Sequence, residues 1–209
     1  MKHLIKYSGV ALVMAGLFFI ITNVVISPLV DFDAAFSEVL SSSVFQYRMI
    51  FAALTVVFLL FGVTGLYLHH NEIERASIFR HITFIIAFFG SAFVFANEWH
   101  QIFVLPEIAK MSPEAMEKLD SSEHTGSYVI GAMIALVTFS IGWILFMISL
   151  LISRKLKRLG PILVLSGFFL IPIISGIITP VWGGIIGTAA LGIGFCIIGF
   201  ELIKTTTVN

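Results

Sequence analysis

The run Asn97-Glu98-Trp99-His100-Gln101 is the densest group of chemically capable side chains within any long apolar stretch of this chain. A carboxylate, an imidazole and two amides in five residues can coordinate a cation or hydrogen-bond a small polar molecule. On a helix advancing 100° per residue, Asn97, Glu98, His100 and Gln101 cover about 160° of arc while Trp99 points away. That spacing predicts a wall turned toward a bundle interior, with Trp99 anchoring the lipid side of an interface.

Gly90, Asn97 and Gln101 also share a stripe, and Gly16, Asn23 and Ser27 share a matching one on an earlier apolar segment. The two asparagines either line a common cavity or hydrogen-bond and lock the two segments, each such bond contributing about 0.6 kcal/mol. Packing of the first and third segments through Gly16, Asn23, Gly90 and Asn97 is the resulting expectation. Glu98 needs a partner or a task, because an ionisable group near the bilayer is expensive. Arg48, one of the few basic residues in its half of the charge pattern, is the obvious partner. The pair is either a staple between segments or, with Asn23, Asn97, His100 and Gln101, the polar floor of an outward pocket.

The histidines invite a metal or haem reading. His3, His69, His70 and His81 fall in one set of connectors, and His100 and His124 in the other. Adjacent His69 and His70 point about 100° apart, so at most one is aimed at a partner such as His81. His100 and His124 with Glu98 or Glu107 supply enough donors for a metal-assisted or redox site, but no tight ligand spacing such as H-E-x-x-H occurs. No cofactor is specified by these residues. Phosphate-cradling glycine loops, a nucleophile elbow and a serine and histidine catalytic pairing are missing, so the chain reads as a binder more than an enzyme.

The elements that must position these residues are apolar. At 58% hydrophobic and 11% charged residues, with mean hydropathy +1.05, 209 residues have too little polar surface to coat a soluble globule. Lipid must solvate the remainder. Six runs reach the roughly 20 residues needed to cross a bilayer: Ser8 to Pro28, Met49 to Leu68, Ile82 to Trp99, Gly126 to Ile152, Pro161 to Ile178 and Gly183 to Ile203. The expected fold is a single all-α polytopic bundle over residues 1–209, with three hairpins at about 1–78, 79–158 and 159–209. Weak similarity between the hairpins suggests a repeat, most clearly where Gly16 to Asn23 aligns with Gly90 to Asn97.

Two short amphipathic helices are expected in the outer connectors. One starts from Asp33 as N-cap and presents Ala35, Phe36, Val39 and Leu40; the other starts at Ser112-Pro113-Glu114 and presents Ala115, Met116 and Leu119. Pro172 is expected to kink the fifth span. The sixth span's glycines (Gly183, Gly184, Gly187, Gly192, Gly194 and Gly199) suit close helix packing or a partner's docking.

Lys2, Lys6, Arg75, Arg80, Arg154, Lys155, Lys157, Arg158 and Lys204 occupy one set of connectors, against Arg48, Lys110 and Lys118 in the other. The basic side is expected to be cytoplasmic, with both termini there, in a cell membrane. Met1 to Ile20 has a basic start and an apolar run, but no small-x-small site follows in Val25 to Phe32, so it reads as a permanent helix. Zero net charge gives no pull toward nucleic acid. Cys196 reads as a small packed hydrophobe. The expected partners are the lipid bilayer, a small polar molecule or ion in the outer pocket, and a membrane protein or second copy of the chain. An accessory subunit without chemistry of its own, and an enzyme or redox subunit using Glu98, His100 and His124, are the competing functions.

Overall fold

The computed structural model describes residues 2–73, 77–120, 126–153 and 156–207. Within them the helices are α1 (Lys2–Ile20), α2 (Phe36–Ser41), α3 (Ser43–Ile73), α4 (Ile78–Phe103), α5 (Leu105–Met111), α6 (Pro113–Asp120), α7 (Ser127–Ser153), α8 (Leu159–Ile177) and α9 (Pro180–Thr207). Six of them, α1, α3, α4, α7, α8 and α9, are long and apolar enough to cross a membrane. This is the expected all-α polytopic bundle. The first span runs on past α1 to Leu29, so the shortest span is α8, whose 19 residues cover about 28 Å at 1.5 Å per residue, close to the hydrocarbon thickness.

The spans form a closed ring in the order α1, α3, α4, α7, α8, α9, with α9 returning to α1; the loosest seam lies between α7 and α8. Chain-consecutive spans are neighbours, as short connections require. Four glycine pairs bring α9 close to both of its neighbours. Gly9 and Gly16 of α1 meet Gly199 and Gly192 of α9, while Gly160 and Gly167 of α8 meet Gly194 and Gly187. Each pair of glycines on one helix is seven residues apart, hence on one face, so α9 carries a separate smooth face for each neighbour. The centre of the half bearing the termini is filled by Trp143, Phe146, Phe195, Leu12 and Leu59, all fully buried.

The expected pairing of the first and third spans does not occur. Gly16 packs on Gly192 and Cys196 of α9, and Gly90 packs on Thr138 and Phe139 of α7. The stripes are real, but each glycine faces its own ring neighbour. Cys196 sits in that α1 contact, its Sγ 3.5 Å from the Val13 carbonyl oxygen.

The opposite end carries three short helices where two were expected. The additional one, α5, follows α4 after a turn at Val104, with Pro106 in its first turn, where a missing N–H is harmless. Together α2, α5 and α6 bury Val39, Leu40, Leu105, Ala109 and Met116 against Phe45 and Met49, a second core separate from that of the bundle. Asp33 is not the cap of α2: its own N–H is held by Asp31 Oδ1 at 3.2 Å. The carboxylate of Glu117, on α6, does that work instead, accepting the Ser37 N–H at 2.9 Å and the Phe36 N–H at 3.1 Å. A capping carboxylate from another helix answers the same unpaired donors that a local side chain would.

Those bonds, the one from Ser37 N–H above all, hold the Glu117 carboxyl below its usual range. A depressed folded-state pKa means the stabilisation is complete above the unfolded value of about 4.3 and is lost as pH falls through the lower folded value. Protection of the Phe36 and Ser37 amides from hydrogen exchange is therefore expected to persist at pH 6 and to fall on acidification below about 4. Glu117→Gln should show the weakened protection already at neutral pH; equal protection in both proteins would refute the role of this cap.

Candidate functional site

The first span is not helical in the ordinary sense throughout. After Ile20 it widens into a π-helical segment, Ile21–Ile26, then tightens into a 3-10 turn, Ser27–Leu29. The sequence accounts for this: five of the residues between Ile21 and Ile26 are β-branched and crowd the preceding turn, and Pro28 has no N–H for an upstream carbonyl. Such wide turns recur at functional sites. Here the Ser27 N–H and hydroxyl both donate to the Thr22 carbonyl oxygen, the hydroxyl at 3.1 Å. The wide turn brings Asn23 and Ser27 toward α3.

Arg48, in the second turn of α3, completes the arrangement. Its Nε donates to Ser27 Oγ at 2.7 Å and an Nη to Asn23 Oδ1 at 3.4 Å, while Asn23 donates in turn to the Phe19 carbonyl oxygen at 3.2 Å. The Phe32 ring lies 6.0 Å from the guanidinium carbon. Two of the five N–H groups of a guanidinium are thus used, and the others find no acceptor among the described residues.

Arg48, Asn23 and Glu98 open into one cavity of about 590 Å³, to which all six spans contribute. It lies in the capped half of the bundle. Its volume falls within the range of small-molecule sites, roughly 300 to 1,000 Å³. The walls are mostly apolar, formed by Phe19, Val56, Val94, Phe139, Phe168 and Leu191, with Thr22, Thr55, Ser140 and Thr188 spaced among them. One turn below Phe139 the fully buried Trp143 and Phe195 rings meet edge to face at 4.9 Å, in the packed core on the terminal side of the cavity.

Arg48 and Glu98 share this cavity but are not a staple. Among the described residues they make no ion pair, and the Glu98 Oε2 atom is buried with no hydrogen-bond partner, as is the Thr22 hydroxyl. A buried carboxylate oxygen without a donor is unusual and costly.

The other residues of the expected floor do not join them. Asn97 and His100 line a second cavity of about 360 Å³ between α4 and α7, with Ser127 and Tyr128 as its other polar wall. The His100 ring lies 5.6 Å from that of Tyr128, and its Nδ1 is buried and unpartnered. Gln101 is part-buried and lines neither cavity. The reason is the helix period: an arc of about 160° is wider than one wall, so Glu98 turns to the centre and Asn97 and His100 to the neighbouring seam. Trp99 is exposed, as its position on the arc required. Glu98 and His100 therefore line different cavities, and His124 lies outside the described residues.

At the terminal end His70 is fully buried, its Nδ1 3.2 Å from the Leu66 carbonyl oxygen and its Nε2 3.0 Å from Ser153 Oγ. His81 meets the edge of Tyr67 at 5.3 Å. Among the described residues no group of three or more His, Cys, Asp or Glu side chains converges as metal ligands would.

Sequence reasoning missed Thr22, Thr55, Ser140 and Thr188 as cavity residues. Thr55 bonds back to the Phe51 carbonyl oxygen at 2.8 Å and Thr188 to that of Gly184, so in sequence they are indistinguishable from ordinary helix hydroxyls. No protein-family model, characterised protein or solved structure is significantly similar to this chain.

Proposed function

We propose that this integral membrane protein binds, and in doing so carries or presents, a small molecule with a polar end and an apolar body in the central cavity. The observation that carries the reading is the placement of Arg48 and Glu98. Both line one space, yet neither neutralises the other, and the guanidinium and a buried carboxylate oxygen both keep unused hydrogen-bonding capacity. A purely structural role would bring them together, since removing the space between them would satisfy both. The apolar walls narrow the ligand expected from sequence: a free ion or a wholly polar solute would leave most of the cavity unmatched. Interruption of the first span at Thr22 and Asn23 sets irregular backbone beside the cavity, as in membrane carriers.

Of the last span's glycines, Gly187, Gly192, Gly194 and Gly199 are used within the bundle, while Gly184 has open space beside it.

Purified gently, the wild-type protein is expected to retain a stoichiometric small molecule detectable by native mass spectrometry. Glu98→Gln, nearly isosteric, should lose it while keeping the thermal midpoint of the wild type, and His100→Ala should keep it. Undiminished retention in Glu98→Gln refutes this site.

In the proposed orientation the terminal end, with Lys2, Lys6, Arg80, Lys157, Arg158 and Lys204, faces the cytoplasm, and the cavity faces outward under its cap. Arg75, Arg154 and Lys155 lie outside the described residues. Met111 is 84% exposed on α5. In a Cys196→Ser background, Met111→Cys is expected to react with an impermeant maleimide on intact cells; reaction only after permeabilisation reverses the topology.

A further inference from the structure

We propose that the ligand is a zwitterionic membrane lipid that enters sideways between α7 and α8, its phosphate on Arg48 and its ammonium group at Glu98. The inference rests on the cavity reading above and adds the route and the chemical class.

The route follows from the seam. Contact between α7 and α8 is the sparsest in the ring. Leu136, Val137 and Ile141 of α7 line the cavity and are also 61%, 52% and 48% exposed on the outside of the bundle. Pro172 on α8 likewise lines the cavity and is exposed. A residue that is both wall and outer surface marks an opening, and this opening faces the hydrocarbon layer, with no polar side chain among those four.

The α8 side of the window is built to yield. Pro172 cannot donate to the Phe168 carbonyl, so the helix lacks a bond at the height of the cavity. Beyond it, Gly176 has open space around it. The segment beyond Pro172 is held on one side, where Ser175 meets Gly183, and a bend there leaves the Gly160 and Gly167 contacts below undisturbed.

The chemical class follows from the two unpaired groups. A guanidinium with free N–H groups suits the paired oxygens of a phosphate. Glu98 lines the same space, and its carboxyl, whose covered Oε2 has no donor from the protein, suits a cationic donor. One ligand bearing both charges satisfies both, and neither protein charge need leave the cavity wall. The acyl chains then lie along the apolar wall and out through the seam.

The test uses the full chain in detergent, exposed to vesicles containing phosphatidylethanolamine and phosphatidylglycerol in equal amounts, with soluble phosphoethanolamine as a separate arm. Bound species are counted by native mass spectrometry. One phosphatidylethanolamine per chain is expected, reduced about 30-fold or more in affinity by Glu98→Gln, as when one partner of a buried charge pair is truncated. Val137→Trp, which fills the window from the surface, should slow loading from vesicles about tenfold or more while leaving thermal stability unchanged, since the residue is exposed. Equal retention of phosphatidylglycerol, or retention indifferent to Glu98→Gln, overturns the zwitterion assignment. Binding of soluble phosphoethanolamine as tight as that of the lipid, with loading indifferent to Val137→Trp, overturns lateral entry and leaves the cavity reading standing. Absence of any bound species in every arm overturns both.

Discussion

Gly192→Val is expected to leave little folded protein. A Cβ at residue 192 would meet the Gly16 carbonyl oxygen at 2.6 Å, and one at its zipper companion, residue 199, would meet the Gly9 carbonyl oxygen at 2.5 Å. Neither obstacle is the end of a flexible side chain. α1 and α9 would have to move apart over their whole contact, and α9 is pinned on its other face, where Gly187 and Gly194 lie against the backbone of α8. Overpacking in cores costs about 1 to 3 kcal/mol where side chains can shift, and more is expected where two backbones collide. In lipid, close packing and not water exclusion drives helix association, so loss of this close approach is felt directly. Gly184→Ala is the matched control, since nothing stands within 4 Å of the added methyl. The measurement is yield of monodisperse protein and its thermal midpoint in detergent. A normal midpoint for Gly192→Val would show that the glycine contacts do not close the ring.

Trp143→Ala is expected to be the next most damaging change. The indole is fully buried beneath the cavity, packed edge to face on Phe195 and 6.1 Å from Phe146, and its Nε1 donates to Ser91 Oγ at 3.0 Å. Truncation of a buried tryptophan costs roughly 3 to 5 kcal/mol in soluble cores. Within a bilayer the transfer contribution shrinks, leaving chiefly lost dispersion contacts, so about 3 kcal/mol is the expected loss. Trp143→Phe keeps most of the volume and forfeits one hydrogen bond, about 1 kcal/mol. Because Trp143 lies one turn below Phe139 of the cavity wall, the alanine variant should also deepen the cavity. Unfolding by increasing denaturing detergent ranks the three proteins. Near-identical curves for alanine and wild type would mean that the indole does not bear on stability.

Fold and site were unequally legible. The six spans follow from long apolar runs, because a bilayer demands a length and a composition that no other environment imposes. The outer helices were visible for a similar local reason, the periodicity of Val39, Leu40 and Met116, although α5 was hidden by Pro106, which reads as a break and here sits harmlessly in a first turn. Within the site, Arg48, Asn23 and Glu98 were nameable from sequence because polar side chains in apolar runs are few. Ser27 stood on the right stripe.

What the chain's sequence determined by itself is therefore membrane residence, the number of spans and a short list of groups able to do chemistry, all consequences of local composition and helix period. Which groups meet was decided only by the tertiary structure. Asn23 could have faced Asn97, and the π-helical turn at Ile21–Ile26 swung it to Arg48 instead. Glu98 and His100, two residues apart, were divided between two cavities because a helix turns about 200° between them. Arg48 and Glu98 have opposite charges, which favours contact in any reading of sequence. In the fold they make no ion pair and instead line one cavity to which the side chains of all six spans contribute.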